Sequence, residues 1–149
     1  MQEAKRPDYR SQIIVNVTPE EAFEKITQAQ GWWSKNFEGK STKTNDVFTV
    51  RFPSGDMYKI RIAEFDPNRK IVWELLDSFQ GWAKNASGWK GTKVVWEIKK
   101  ENNGGVSIDM THEGLVPELD TYDPGKKAWD WLTHESLYKF LTEGKGMPV

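Results

Sequence analysis

Thr92-Lys93-Val94-Val95-Trp96-Glu97-Ile98-Lys99-Lys100, then Asn102-Asn103-Gly104-Gly105, then Val106-Ser107-Ile108-Asp109-Met110-Thr111-His112-Glu113 is the stretch that decides the fold. Val94, Trp96 and Ile98 alternate with Lys93, Glu97 and Lys99, the period of a strand with one apolar face. Val106, Ile108, Met110 and His112 keep the same phase. The residues between tolerate positive φ and suit a tight hairpin turn. An antiparallel pair with one buried and one wet face follows.

Working outward, the same period recurs upstream. Phe48, Val50 and Phe52 share a face, as do Tyr58, Ile60 and Ile62, and Ile71, Trp73 and Leu75. Turn signals at Pro53-Ser54-Gly55-Asp56 and Asp66-Pro67-Asn68 separate these runs. Tyr9 to Val17 reads as a first strand. Thr18-Pro19-Glu20-Glu21 then opens a helix: Thr18 as cap, Pro19 in the first turn, Glu21 in the capping-box position. Ala22, Phe23 and Ile26 give that helix its buried stripe, and it ends before Gly31. Gly31-Trp32-Trp33-Ser34 reads as a short helix or turn whose adjacent rings contact different neighbours. Lys35 to Asp46 reads as polar connection, and Ser78 to Gly91 as a long irregular loop. A long helix starts near Asp123-Pro124 and ends at Gly144; Ala128, Trp129, Leu132, Ser136, Leu137, Phe140 and Leu141 form its broad apolar face. The order predicts an α+β fold in which a curved antiparallel sheet wraps a long C-terminal helix, with one or two short helices after the first strand.

Composition narrows the function classes. The 149 residues hold 21 basic and 22 acidic side chains, a net charge of -1, which gives no footprint for nucleic acid. There is no cysteine, so thiolate metal sites and disulfides are excluded. With two histidines and no cysteine a buried zinc site is not expected, and with no Gly-x-Gly-x-x-Gly after a strand no cofactor is expected either. Residues 1–8 read as a polar tail without an apolar leader segment, and no run reaches membrane length, so a cytoplasmic location without membrane insertion is expected. No Gly-x-Ser-x-Gly elbow occurs, and the glycine a phosphate loop would need ahead of Gly39-Lys40-Ser41 is replaced by Ser34. No paired carboxylates stand out, so the chain carries no recognisable catalytic motif.

Eight tryptophans are more than a small core usually takes, and large rings from several elements can wall a hollow as well as fill one. The candidate ligand contacts are Trp33, Tyr58, Trp73 and Trp96 from the N-terminal segment and strands. Met110, His112, Trp129 and Leu132 complete the set from the last strand and the helix. Packing alone is the competing reading for each ring. His112, in phase with Met110, is the weak catalytic candidate: it either meets a ligand as donor, acid or base, or is a strand-end histidine bonded to a carbonyl or water. His134 reads as part of a solvated helix face, and Trp131 as peripheral. Trp82 and Trp89 either form a lid or anchor their loop. Arg51, Lys59 and Arg61 read as a solvated sheet face.

Several segments together are similar to the START-like (SRPBCC, Bet v 1-like) superfamily. They are Val17-Thr18-Pro19-Glu20-Glu21-Ala22-Phe23, Gly31-Trp32-Trp33-Ser34, Gly91-Thr92-Lys93-Val94-Val95-Trp96-Glu97-Ile98, Thr111-His112-Glu113-Gly114-Leu115, and Ser136-Leu137 through Glu143-Gly144-Lys145-Gly146. Within it the chain most resembles the C-terminal domain of the activator of Hsp90 ATPase. The resemblance spans essentially the whole chain and implies one helix-grip domain over residues 1–149. It implies a cavity between sheet and helix for a small hydrophobic or amphipathic molecule. A cavity enzyme of the polyketide cyclase or aromatase type, with His112 as acid or base, is the alternative. An Hsp90 co-chaperone ranks last, because the fold begins near Tyr9 and leaves no room for the separate domain that contacts the chaperone in that activator. Fold does not fix which of these applies.

Overall fold

The computed structural model describes residues 7–149; most of the polar tail expected over residues 1–8 lies outside them. Strand β1 (Tyr9–Val15) leads into helix α1 (Pro19–Thr27) and a short 3-10 turn (Ala29–Gly31). Strands β2 (Asn36–Gly39), β3 (Val47–Arg51), β4 (Met57–Asp66), β5 (Lys70–Phe79), β6 (Lys93–Lys100) and β7 (Val106–Glu113) follow. A C-terminal helix over residues 122–143 closes the chain, as α2 (Tyr122–Trp131), a π-helical stretch (Leu132–Leu137) and α3 (Tyr138–Glu143).

The strands form one seven-stranded antiparallel sheet in the order β1-β7-β6-β5-β4-β3-β2. The β6–β7 hairpin pairs Lys93 with Glu113 and Lys100 with Val106, the register that the alternation requires. Its turn holds Gly104 at φ +86° and Gly105 at φ +77°, a conformation that side chains resist. The β4–β5 register shifts between Lys59 and Ile60 and again between Ile62 and Glu64. Such irregularities bend and twist a strand pair.

Local signals act as expected at both helix ends. The Thr18 hydroxyl accepts the Glu21 N–H at 3.1 Å, satisfying a free donor of the first turn of α1. Gly144, at φ +77°, ends α3 in the left-handed conformation. Within the π-helical stretch the Thr133 hydroxyl donates to the Trp129 carbonyl at 2.8 Å, a side-chain bond that competes with the backbone ladder.

Two expectations are corrected. Lys35 to Asp46 is not all connection: Asn36–Gly39 pairs with β3 as an edge strand, and its side chains are largely exposed, so no alternation marks it. Trp32 and Trp33 share a neighbour: both stack on Trp73, at 6.3 Å and 5.6 Å between centroids, and on each other at 6.1 Å. The backbone there follows no regular element (Trp32 has φ −139°, ψ −19°), so the alternation that would separate adjacent rings does not apply.

The core lies between the concave sheet face and the C-terminal helix, and Trp32, Trp73 and Trp96 are among its largest fully buried side chains. Strand β1 ties to the helix through Tyr9, which donates to Asp130, and through Ser11, which meets Thr133 at 2.8 Å. No helix of the described residues is long and apolar enough to cross a membrane.

Candidate functional site

The helix runs from the end of the sheet where β4 begins and β7 finishes to the end covered by α1. At its starting end the interface is not filled. A cleft of about 310 Å³ opens there, walled by Trp33, Tyr58, Trp89, Trp129 and Leu132. The β3–β4 turn contributes Phe52, Pro53, Ser54 and Asp56, the outer helix face Ala128 and Trp131, and the C-terminal segment Val149.

Near-parallel rings line it. Tyr58 stacks between Trp33 (5.8 Å, 14°) and Trp89 (5.3 Å, 21°), and Trp33 lies on Trp73 at 5.6 Å and 3°. Trp129 tilts 39° against Trp33 at 5.3 Å and makes a corner. Centroid separations of this size belong to offset stacking, which the ring quadrupole favours over a face-to-face sandwich.

Of the residues singled out in the sequence, Trp33, Tyr58, Trp129 and Leu132 line the cleft. Trp73 lies beneath Trp33, and Trp96 meets Trp73 and Trp129 edge-on. Met110 is buried in the core. His112 sits behind the rings, edge-on to Trp89 at 4.7 Å, and its exposure is 0%.

The hydrogen bonds of His112 fix its state. The Trp129 indole N–H can only donate, so His112 Nδ1 accepts, at 3.1 Å. The other nitrogen, Nε2, then carries the proton of the neutral ring and donates to the Thr92 hydroxyl at 2.9 Å. The Thr92 hydroxyl in turn donates a hydrogen bond to the Trp89 carbonyl at 2.6 Å. Burial pushes the imidazole down to about 3, opposed weakly by the Asp8 charge, so the ring is neutral at physiological pH. Both ring nitrogens of His112 are thereby committed to protein partners, and they hold Trp129 directly and Trp89 through Thr92.

Trp89 is held from two sides. Its indole N–H donates to Thr121 Oγ1 at 3.0 Å, and its ring lies on the first turn of α2, where a side chain at Gly125 would come within 2.9 Å of Trp89. Trp82, 49% exposed, reaches the rim and donates to Asp56 Oδ2 at 3.1 Å. Trp131, 41% exposed, forms another part of the rim. The tail pairs with the Trp33 segment: Val149 N–H donates to the Trp33 carbonyl and Lys35 N–H to the Val149 carbonyl, each at 3.0 Å.

Behind Tyr58 lies a small polar group. Gln80 donates from Nε2 to the Tyr58 hydroxyl at 2.9 Å, while Gln80 Oε1 and the nearby Ser78 Oγ have no partner among the described residues. Burial, then the Asp56 charge, raise the Tyr58 phenol well above its ordinary value, so it stays protonated. His134 is on the exposed helix face and meets Ser11 at 3.2 Å. Arg51 pairs with Glu38 and Arg61 with Glu74, away from the cleft. No group of three or more His, Cys, Asp or Glu among the described residues is arranged to hold a metal ion. Sequence reasoning missed Phe52, Pro53, Asp56 and Val149, which only the folding of turn and tail brings to the mouth.

No family profile and no curated protein matches the chain. Solved structures do. The Aha1 dimer from Colwellia psychrerythraea superposes with a TM-score of 0.75 at 19% identity, over 93% of this chain and 98% of that one. MLL2253 from Mesorhizobium loti gives 0.72 at 12% identity, over 93% and 98%. DynU16, a protein in the dynemicin biosynthetic locus, gives 0.67 at 16% identity, over 92% of this chain and 48% of that chain. The fold is therefore START-like, in the helix-grip arrangement shared with Aha1. Identities this low carry the architecture and no activity.

Proposed function

We propose that this chain is a binding module that holds a small apolar or amphipathic molecule in the cleft between the sheet and the start of the C-terminal helix. One observation carries the reading: rings from four separate parts of the chain (Trp33, Tyr58, Trp89 and Trp129) converge on an open space that none of them fills. Apolar walls with a few polar groups at the mouth are the usual make-up of a small-molecule site, and the volume falls at the lower end of the usual range of about 300–1,000 Å³. That favours a compact ligand over a two-chain lipid.

In this reading His112 is a positioning residue. Its two ring nitrogens fix the Trp129 ring and, through Thr92, the loop that carries Trp89. The likeness to an Aha1 dimer supports the scaffold; nothing in the cleft speaks for a chaperone partner.

The test uses the neutral fluorescent probe N-phenylnaphthylamine. Energy transfer from tryptophan to the bound probe is expected, saturating at one probe per chain. Ala128 is exposed and lines the cleft, so Ala128→Trp fills the space from outside with little strain on the core. Binding should be lost in that variant while the melting temperature holds. A variant that binds the probe as well as the parent would place the site elsewhere, and a parent that shows no transfer would remove the reading.

A further inference from the structure

Among the described residues the cleft has one charged side chain and many rings. Asp56 is, among the described residues, the sole Asp, Glu, Lys, Arg or His side chain that lines it. Its Oδ2 accepts the Trp82 indole N–H at 3.1 Å, and among the described residues no cation is paired with it. Its charge also bears on the Tyr58 phenol inside the cleft.

The polar edges of two rings point away from the opening. The Trp89 N–H is spent on Thr121 and the Trp129 N–H on His112. These walls therefore present π-faces and withhold donors. A π-face is the negative side of the ring quadrupole, and an acid at the mouth adds to the same field. An anion would meet repulsion from Asp56 and find neither donor from these two rings nor a lysine or arginine. An alkylated ammonium ion would meet attraction from the ring faces and from Asp56 and gives up little hydration on leaving water.

We infer that the cleft selects an organic cation, a ring-bearing alkylated ammonium ion whose flat part lies against the rings that wall the cleft and whose charge faces Asp56. This assignment rests on the binding reading above and adds to it the charge class of the ligand.

Three probes of matched size test it: benzyltrimethylammonium, its neutral carbon isostere neopentylbenzene, and phenylacetate. Affinities are read by tryptophan fluorescence at low ionic strength. The cation should bind about tenfold more tightly than the isostere, the factor expected of a partly desolvated cation–π contact with a counter-charge. Asp56→Asn keeps an acceptor for Trp82 and removes the charge, so it should erase most of that preference and leave the isostere unchanged. Equal or tighter binding of the isostere or of phenylacetate would overturn the inference, as would a preference that survives Asp56→Asn. If none of the three binds while N-phenylnaphthylamine still does, the cation assignment falls and the binding module stands. If N-phenylnaphthylamine also fails, both fall.

Discussion

The two ends of the sheet–helix interface use the same residue type to opposite effect. Toward α1, Trp32, Trp73 and Trp96 are sealed among Phe23, Ile26 and Phe48. At the other end, Trp33, Tyr58, Trp89 and Trp129 face an open cleft. The difference lies in what covers each end. A regular helix, α1, packs against β6, β7 and α3 and closes the first. A hairpin turn, a loop and a tail rim the second, and none lays a continuous apolar surface across it. Tryptophan content thus says how much ring surface is available; the cover decides whether it becomes core or wall.

The sealed end spends polar groups to achieve its packing. Among the described residues the indole N–H groups of Trp73 and Trp96 have no partner, each a cost of about 1–3 kcal/mol that dispersion and burial must outweigh. At the open end the lining indoles of Trp89 and Trp129 are both bonded. Trp73 and Trp96 are therefore oriented by packing alone, Trp32 also donates to the Ile26 carbonyl at 3.3 Å, and Trp89 and Trp129 are fixed by hydrogen bonds at the cleft.

The contrast can be broken most forcefully at the sealed end. Trp96→Ala should cost about 3–5 kcal/mol, read as a drop in denaturant midpoint, because the ring's neighbours cannot collapse into the space. A loss below about 1 kcal/mol would show that the core is no tighter than the cleft.

The boundary between the two regions is His112. His112→Gln should cost about 1–3 kcal/mol by leaving Trp129 or Thr92 without a partner. It should also change the pH response. The folded-state value of about 3 lies below the ordinary 6.5, so the unfolded chain takes up a proton first. The contribution of His112 is therefore full above about pH 6.5 and is lost as pH falls toward 3, by up to one proton per unfolding event. The variant's stability between pH 6 and pH 4 should fall less steeply than the parent's, by about that one proton. Parallel curves would mean that His112 titrates normally.

The smallest effect is expected at the rim. Trp131→Ala should change stability by no more than about 0.5 kcal/mol, since the ring is 41% exposed, yet weaken N-phenylnaphthylamine binding by removing one edge of the mouth. A stability loss as large as that at Trp96 would erase the distinction between wall and core.

Much of the fold was legible because short-range rules governed it. The period-two pattern of β4, β6 and β7, the Thr18 cap, the glycines of the β6–β7 turn and the apolar face that ends at Gly144 each act within a few residues. Strand β2 was not, because an edge strand with exposed side chains leaves no alternation to read. Trp32 and Trp33 misled for a related reason: alternation has meaning only inside a regular element.

The site divided along the same line. That His112 shares a face with Met110, and that Trp129 lies on the buried side of the helix, follows from phase alone. That His112 spends both nitrogens on Trp129 and Thr92, that Asp56 stands at the mouth, and that Val149 returns to Trp33 depends on contacts between residues far apart in the chain. Sequence by itself determined which surfaces must leave water, since hydrophobic burial answers to local periodicity. Where those surfaces fail to meet was decided only by tertiary structure, because a void is set by the curvature of the whole sheet and by the turns that end it.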